Sequence, residues 1–90
     1  MKAVQLHITG RVQGVSYRAS THAQARALGL AGWVRNEPDG SVRAFVQGPD
    51  ADVDALREWC AKGPPHARVD AVETKEAAVD PELTRFEVRR

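Results

Sequence analysis

Residues 4–18 read Val4-Gln5-Leu6-His7-Ile8-Thr9-Gly10-Arg11-Val12-Gln13-Gly14-Val15-Ser16-Tyr17-Arg18, and the pattern changes period part-way along. Val4, Leu6 and Ile8 alternate with Gln5, His7 and Thr9, the period-two signature of a strand with one buried face. From Ser16 to Leu28 the chain has neither glycine nor proline and is rich in Ala, Arg and Gln, which predicts a helix. Its apolar stripe is modest (Tyr17, Thr21, Leu28), and Gly29 supplies the stop. The loop between strand and helix carries Gly10 and Gly14. Glycines let backbone come close to a ligand, and N–H groups ahead of a helix attract negative charge. Arg18 adds a planar, permanently charged fork suited to phosphate oxygens. An ordinary strand-to-helix turn with a surface arginine fits the same residues equally well.

Outward from this segment, Gly32-Trp33-Val34-Arg35-Asn36 reads as a strand, and Glu37-Pro38-Asp39-Gly40 supplies turn chemistry. Ser41 to Gln47 returns with Val42, Ala44 and Val46 on one face, completing a hairpin. After Gly48-Pro49, Asp50 is placed to cap a second helix whose first turn suits Asp52 and Asp54. Val53, Leu56, Trp59 and Cys60 recur at helical spacing, and Lys62-Gly63-Pro64-Pro65 ends the helix. Arg68 to Ala78, with Val69, Ala71 and Val72, is a weaker strand. Asp80-Pro81 turns the chain, and Phe86 and Val88 mark a short last strand. This order predicts an α+β fold, a ferredoxin-like βαββαβ sandwich with two helices on one face of a mostly antiparallel sheet and a short extra C-terminal strand. The fold permits the glycine loop to approach the end of the strand at Asn36. It hosts many functions, so the site must supply the chemistry.

Ninety residues predict a single domain spanning 1–90. Thirteen basic against twelve acidic residues leave a net charge of +1, too little for strong attraction to nucleic acid or membrane. Aromatic content of 6% argues against a base-stacking platform. No stretch approaches the ~20 apolar residues of a membrane span, and no signal-peptide core opens the chain, so a cytoplasmic location is expected. Cys60 is the only cysteine, which rules out an internal disulfide and cysteine-rich zinc patterns; its place on the apolar helix face reads as packing. His7, His22 and His66 lack metal-ligand spacing. Asp50, Asp52 and Asp54 are better explained by the helix start than by a metal loop. Arg89-Arg90 reads as a solvated tail.

Taken together, GRVQGVSYR at residues 10–18, GWVRN at 32–36 and DGSV at 39–42, with Gln47-Gly48 behind them, closely resemble the acylphosphatase family over essentially the whole domain. The resemblance implies hydrolysis of an acyl phosphate to a carboxylate and inorganic phosphate by a metal-free monomer without a cofactor. It implies a phosphate cradle of backbone N–H groups from Arg11 through Val12, Gln13, Gly14, Val15 and Ser16 to Tyr17. Arg18 would bind the phosphate and stabilise its charge, and Asn36 would hold the attacking water. That division suits phosphoryl transfer, which needs positioning and charge stabilisation more than covalent chemistry. A carboxamide both donates and accepts hydrogen bonds, as a water-orienting group must. This chain departs from the family pattern at Tyr17, where phenylalanine is usual, and at Ser16, a tolerant position where a serine suits helix capping. Glu37-Pro38 stands where many members carry a small hydroxyl residue, and a carboxylate there is expected to weaken anion binding or shift the pH optimum. The alternative is a non-catalytic module of the same fold that binds phosphate or carbamoyl phosphate. An RNA-binding domain fits less well, because Phe45 is the only aromatic between Ser41 and Gln47.

Overall fold

The computed structural model describes all 90 residues. In chain order the elements are β1 (Lys2–Arg11), α1 (Tyr17–Ala27), β2 (Ala31–Asn36), β3 (Val42–Gly48), α2 (Asp50–Lys62), β4 (Arg68–Ala77) and β5 (Phe86–Arg89). They form one five-stranded sheet in the order β4-β1-β3-β2-β5. β1 pairs antiparallel with β3 and β4, as does β2 with β3, whereas β5 joins the edge of β2 in parallel. This is the expected ferredoxin-like sandwich with its additional strand.

The alternation in β1 becomes the core. Val4, Leu6 and Ile8 are buried together with Val34, with Val42, Ala44 and Val46 of β3, and with Val53, Leu56 and Cys60 of α2. Each large aliphatic side chain fully removed from water contributes about 1.5–3 kcal/mol. The buried stripe of α1 is Tyr17, Thr21 and Ala25 rather than one running to Leu28, which is only partly buried against the cluster. The small Ala25 lets this helix sit close to the sheet. Gly29 ends α1 as expected: the N–H of Leu30 reaches the Ala25 carbonyl (2.9 Å) and that of Gly29 reaches Arg26 (3.0 Å). Neither helix is long and apolar enough to cross a membrane.

Three local readings change. Asp50 is already helical and does not cap α2; Pro49 holds that position with φ −56° and ψ 139°. The Asp50 carboxylate lies instead 3.6 Å from the N-terminal amine. β4 ends at Ala77, one residue short of the predicted boundary. Gly10 belongs to β1 rather than to the loop, at a register irregularity between Thr9 and Gly10. With φ +124°, it lies so close to β4 that a Cβ there would be 2.2 Å from the Arg68 carbonyl oxygen. Strand packing therefore accounts for that glycine.

Candidate active site

The segment from Val12 to Ser16 carries the chain from the end of β1 to the start of α1. Gly14 has φ +76°, and Ser16, at φ 62°, is the only non-glycine residue with positive φ. A left-handed conformation at a residue with a Cβ costs about 1–2 kcal/mol. Such strain persists where the surroundings demand it, often at functional sites. Ser16 occupies the position before α1 but makes no side-chain capping bond, and no acidic residue stands in the first turn. The serine thus does not serve as the expected cap. The first N–H groups of the helix keep their capacity to meet an anion.

Arg18 lies in that first turn, where a cation is disfavoured by the helix dipole. One of its guanidinium nitrogens donates to the backbone carbonyl of Arg89, at 3.0 Å. Arg89 is accordingly no free tail: it lies in β5, and its own guanidinium stands 5.3 Å from the centroid of the Trp33 ring. The parallel pairing of β5 with β2 brings the Arg89 carbonyl within reach of Arg18, while the Arg89 side chain lies with Trp33 on the other face of the sheet.

Asn36 is the last residue of β2, and alternation decides where its side chain goes. Val34 is completely buried on the helix side, and Asn36 shares that face. Arg35 and Glu37 take the other. There a Glu37 carboxylate oxygen accepts from the Nε–H of Arg35 at 3.0 Å and stands 3.5 Å from Arg43 Nε. The carboxylate suspected of disturbing the anion site is therefore directed away from it and matched by two arginines.

Val12, Gly14, Ser16, Tyr17, Arg18, Ala19, Asn36 and Val88 line one cavity of about 250 Å³. Six of the residues singled out from sequence meet there. Arg11, Gln13 and Val15 do not line it: Arg11 is exposed opposite Arg68, and Val15 packs partly buried against the core. Gln13 turns to the hairpin, donating to the carbonyls of Glu37 (2.8 Å) and Ser41 (2.9 Å). No Asp, Glu, His, Lys or Cys side chain reaches the cavity wall. Within it the Asn36 Oδ1 is buried and accepts no hydrogen bond from the protein. A buried acceptor left in that condition costs about 1–3 kcal/mol.

The Tyr17 ring forms part of the cavity floor, and its hydroxyl donates to the Cys60 carbonyl at 2.6 Å, fastening α1 to α2. Burial, with Cys60 alongside, pushes the Tyr17 hydroxyl well above its ordinary value. Burial likewise pushes the Cys60 thiol up to about 12. Neither is available as a base. Across the site, Asp39 stiffens the hairpin turn by accepting from the Ser41 N–H (2.9 Å) and hydroxyl (2.6 Å). Those bonds hold its carboxyl below the usual range.

A small α+β domain whose first strand-to-helix loop, arginine and facing carboxamide line one base-free cavity is a member of the ferredoxin-like class. Family comparison narrows this, since the acylphosphatase family model matches residues 4–88. The chain is 52% identical over 90 residues to the acylphosphatase of Methylococcus capsulatus, covering 100% of this chain and 98% of that one. Its fold matches the crystal structure of acylphosphatase from Bacillus subtilis with a TM-score of 0.95 and 30% identity, covering both chains completely. It also matches part of full-length HypF in its phosphate- and nucleotide-bound form, with a TM-score of 0.85 and 26% identity, covering 99% of this chain but 12% of that one. The chain belongs to the acylphosphatase family.

Proposed function

We propose that this chain hydrolyses acyl phosphates to a carboxylate and inorganic phosphate, with the phosphoryl group held by the loop and Arg18 and the attacking water oriented by Asn36. The observation that carries the water-orienting role is the buried, unpartnered Oδ1 of Asn36 in the cavity that Arg18 also lines. Backbone N–H groups around Gly14 and Ser16, with the start of α1, meet the phosphoryl oxygens. The Arg18 fork, with one nitrogen braced on Arg89, neutralises charge that gathers on them.

Asn36 accepts a hydrogen bond from the water at Oδ1, which directs a lone pair of the water oxygen at phosphorus. A new P–O bond forms as the bond to the acyl oxygen breaks, and the carboxylate leaves with the electron pair. The water proton passes to a non-bridging phosphate oxygen and ends on the product. Substrate-assisted transfer is favoured because no side-chain base lines the cavity. The volume admits a phosphoryl group and a small acyl group, with Ala19 and Val88 offering apolar contact beside Arg18. We propose further that the enzyme is a single-domain monomer located in the cytoplasm.

The test is turnover of benzoyl phosphate with inorganic phosphate as competitor. Hydrolysis inhibited competitively by phosphate is expected, with Asn36→Ala lowering kcat while leaving phosphate affinity near its original value. The similarity to one segment of HypF favours a second reading, a phosphate-binding module. Phosphate binding without turnover would select that reading.

A further inference from the structure

Loop 12–16 lines the cavity, the β2–β3 turn follows directly on Asn36, which lines it too, and one side chain hydrogen-bonds loop and turn together. The Gln13 carboxamide uses both of its N–H donors, one on the Glu37 carbonyl at 2.8 Å and one on the Ser41 carbonyl at 2.9 Å. These acceptors frame the neck of the turn. The Glu37 N–H donates to the Ser41 carbonyl at 2.8 Å, and the Gly40 N–H to the Glu37 carbonyl at 3.1 Å. Asn36 immediately precedes Glu37 and lies opposite Val42, so it is fixed to this neck through the backbone. Its own side chain makes no hydrogen bond that would set its distance from the loop.

We infer that Gln13 is a positioning residue: it sets the spacing between the phosphate loop and Asn36, without touching substrate itself. This rests on the reading of Asn36 as the water-orienting group. Phosphorus is located by the loop and Arg18, whereas the nucleophile is located from another strand. In-line attack depends on the registration of these two bodies. Gln13 is directed away from the cavity, so its removal leaves the phosphate contacts intact and lets Asn36 drift. A displacement of about 1 Å in such an arrangement costs on the order of 10²-fold in rate.

The decisive variant is Gln13→Met, which keeps the length and bulk but removes both donors. With benzoyl phosphate, kcat is expected to fall by roughly 10²-fold while the inhibition constant of inorganic phosphate changes by less than about twofold. Gln13→Asn, one methylene short of the neck, provides a milder version should the methionine variant fold poorly. The second arm places Gln13→Met in an Asn36→Ala background. If Gln13 acts through Asn36, the double variant turns over no more slowly than Asn36→Ala alone. An unchanged kcat in Gln13→Met overturns the inference, as does the same fold-loss in both backgrounds or a parallel collapse of phosphate binding. Absence of hydrolysis by the unmodified chain would instead defeat the assigned reaction, so the two failures are separable.

Discussion

Arg18 stands against the local preference of its helix, a cation at the positive end of a dipole, and Ser16 two residues earlier stands against the preference of its backbone. Both conflicts fall in one turn, beside the cavity, and a bound anion there would offset the charge conflict at Arg18. Arg18→Ala should therefore separate function from stability. Hydrolysis of benzoyl phosphate is expected to fall by about 10²–10³-fold. The urea midpoint should hold or rise slightly, because an unfavourable charge–dipole term of about 0.3–1 kcal/mol is removed. A large drop in the midpoint would show that the bond to the Arg89 carbonyl matters to the fold more than to the reaction. The sequence singled out Arg18 and Asn36 because their types are chemically eloquent and their neighbours match a family pattern, and both line the cavity. It named Gln13 only for a backbone N–H of the cradle and not for its side chain, whose partners are carbonyls 24 and 28 residues away. Nor did it identify the bracing of Arg18 by a residue 71 positions on. Nor does sequence adjacency to Asn36 show that the Glu37 carboxylate pairs with Arg35 and Arg43.

Among the elements, the two glycines of the opening motif divide their labour. Gly10 belongs to the β1–β4 pairing, where a side chain would strike the backbone of Arg68, whereas nothing lies within 4 Å of a Cβ added at Gly14. Gly10→Ala is expected to abolish cooperative folding. Gly14→Ala should retain it with a loss of about 1–2 kcal/mol, the strain of a left-handed alanine. Thermal unfolding followed by circular dichroism checks both, and equal damage from the two substitutions would contradict the assignment. Period and turn chemistry made every helix and strand legible in order, with ends shifted by one residue or two; β1 extends to Lys2 and Arg11, beyond the alternating run. Sequence periodicity could not decide how the last strand pairs. β4 and β5 lie on opposite edges, so residues 78–85 must cross the sheet. Gln47 holds that crossing, donating to the carbonyls of Asp80 (2.8 Å) and Leu83 (3.2 Å) and accepting from the Asp80 N–H (2.8 Å). The motif glutamine before Gly48 gains a structural role here that no local pattern announces.

For the molecule as a whole, the contact between α1 and α2 makes stability depend on pH on the alkaline side. Burial raises the Cys60 thiol from an ordinary 9.0 to about 12 and also raises the Tyr17 hydroxyl above its ordinary 10.0. As pH climbs past 9, the unfolded chain sheds the Cys60 proton while the folded chain keeps it. The folded state then binds more protons, so stability declines with pH, by at most about 1.4 kcal/mol per pH unit for one group. Cys60→Ala carries a cavity penalty at every pH but should lose this dependence. The gap between the two proteins is therefore expected to narrow from pH 9 to pH 10 in urea titrations. A gap constant across that interval would refute the account.

The hydrogen bond from Arg18 to the Arg89 carbonyl joins an early helix to the last strand. During synthesis the loop, the arginine and the asparagine all leave the ribosome before the backbone that braces the arginine has been made. The pocket cannot be finished until β5 has emerged and docked beside β2. Catalytic competence in this chain accordingly waits on β5: the nascent protein acquires its shape progressively, and its chemistry only after that strand has docked.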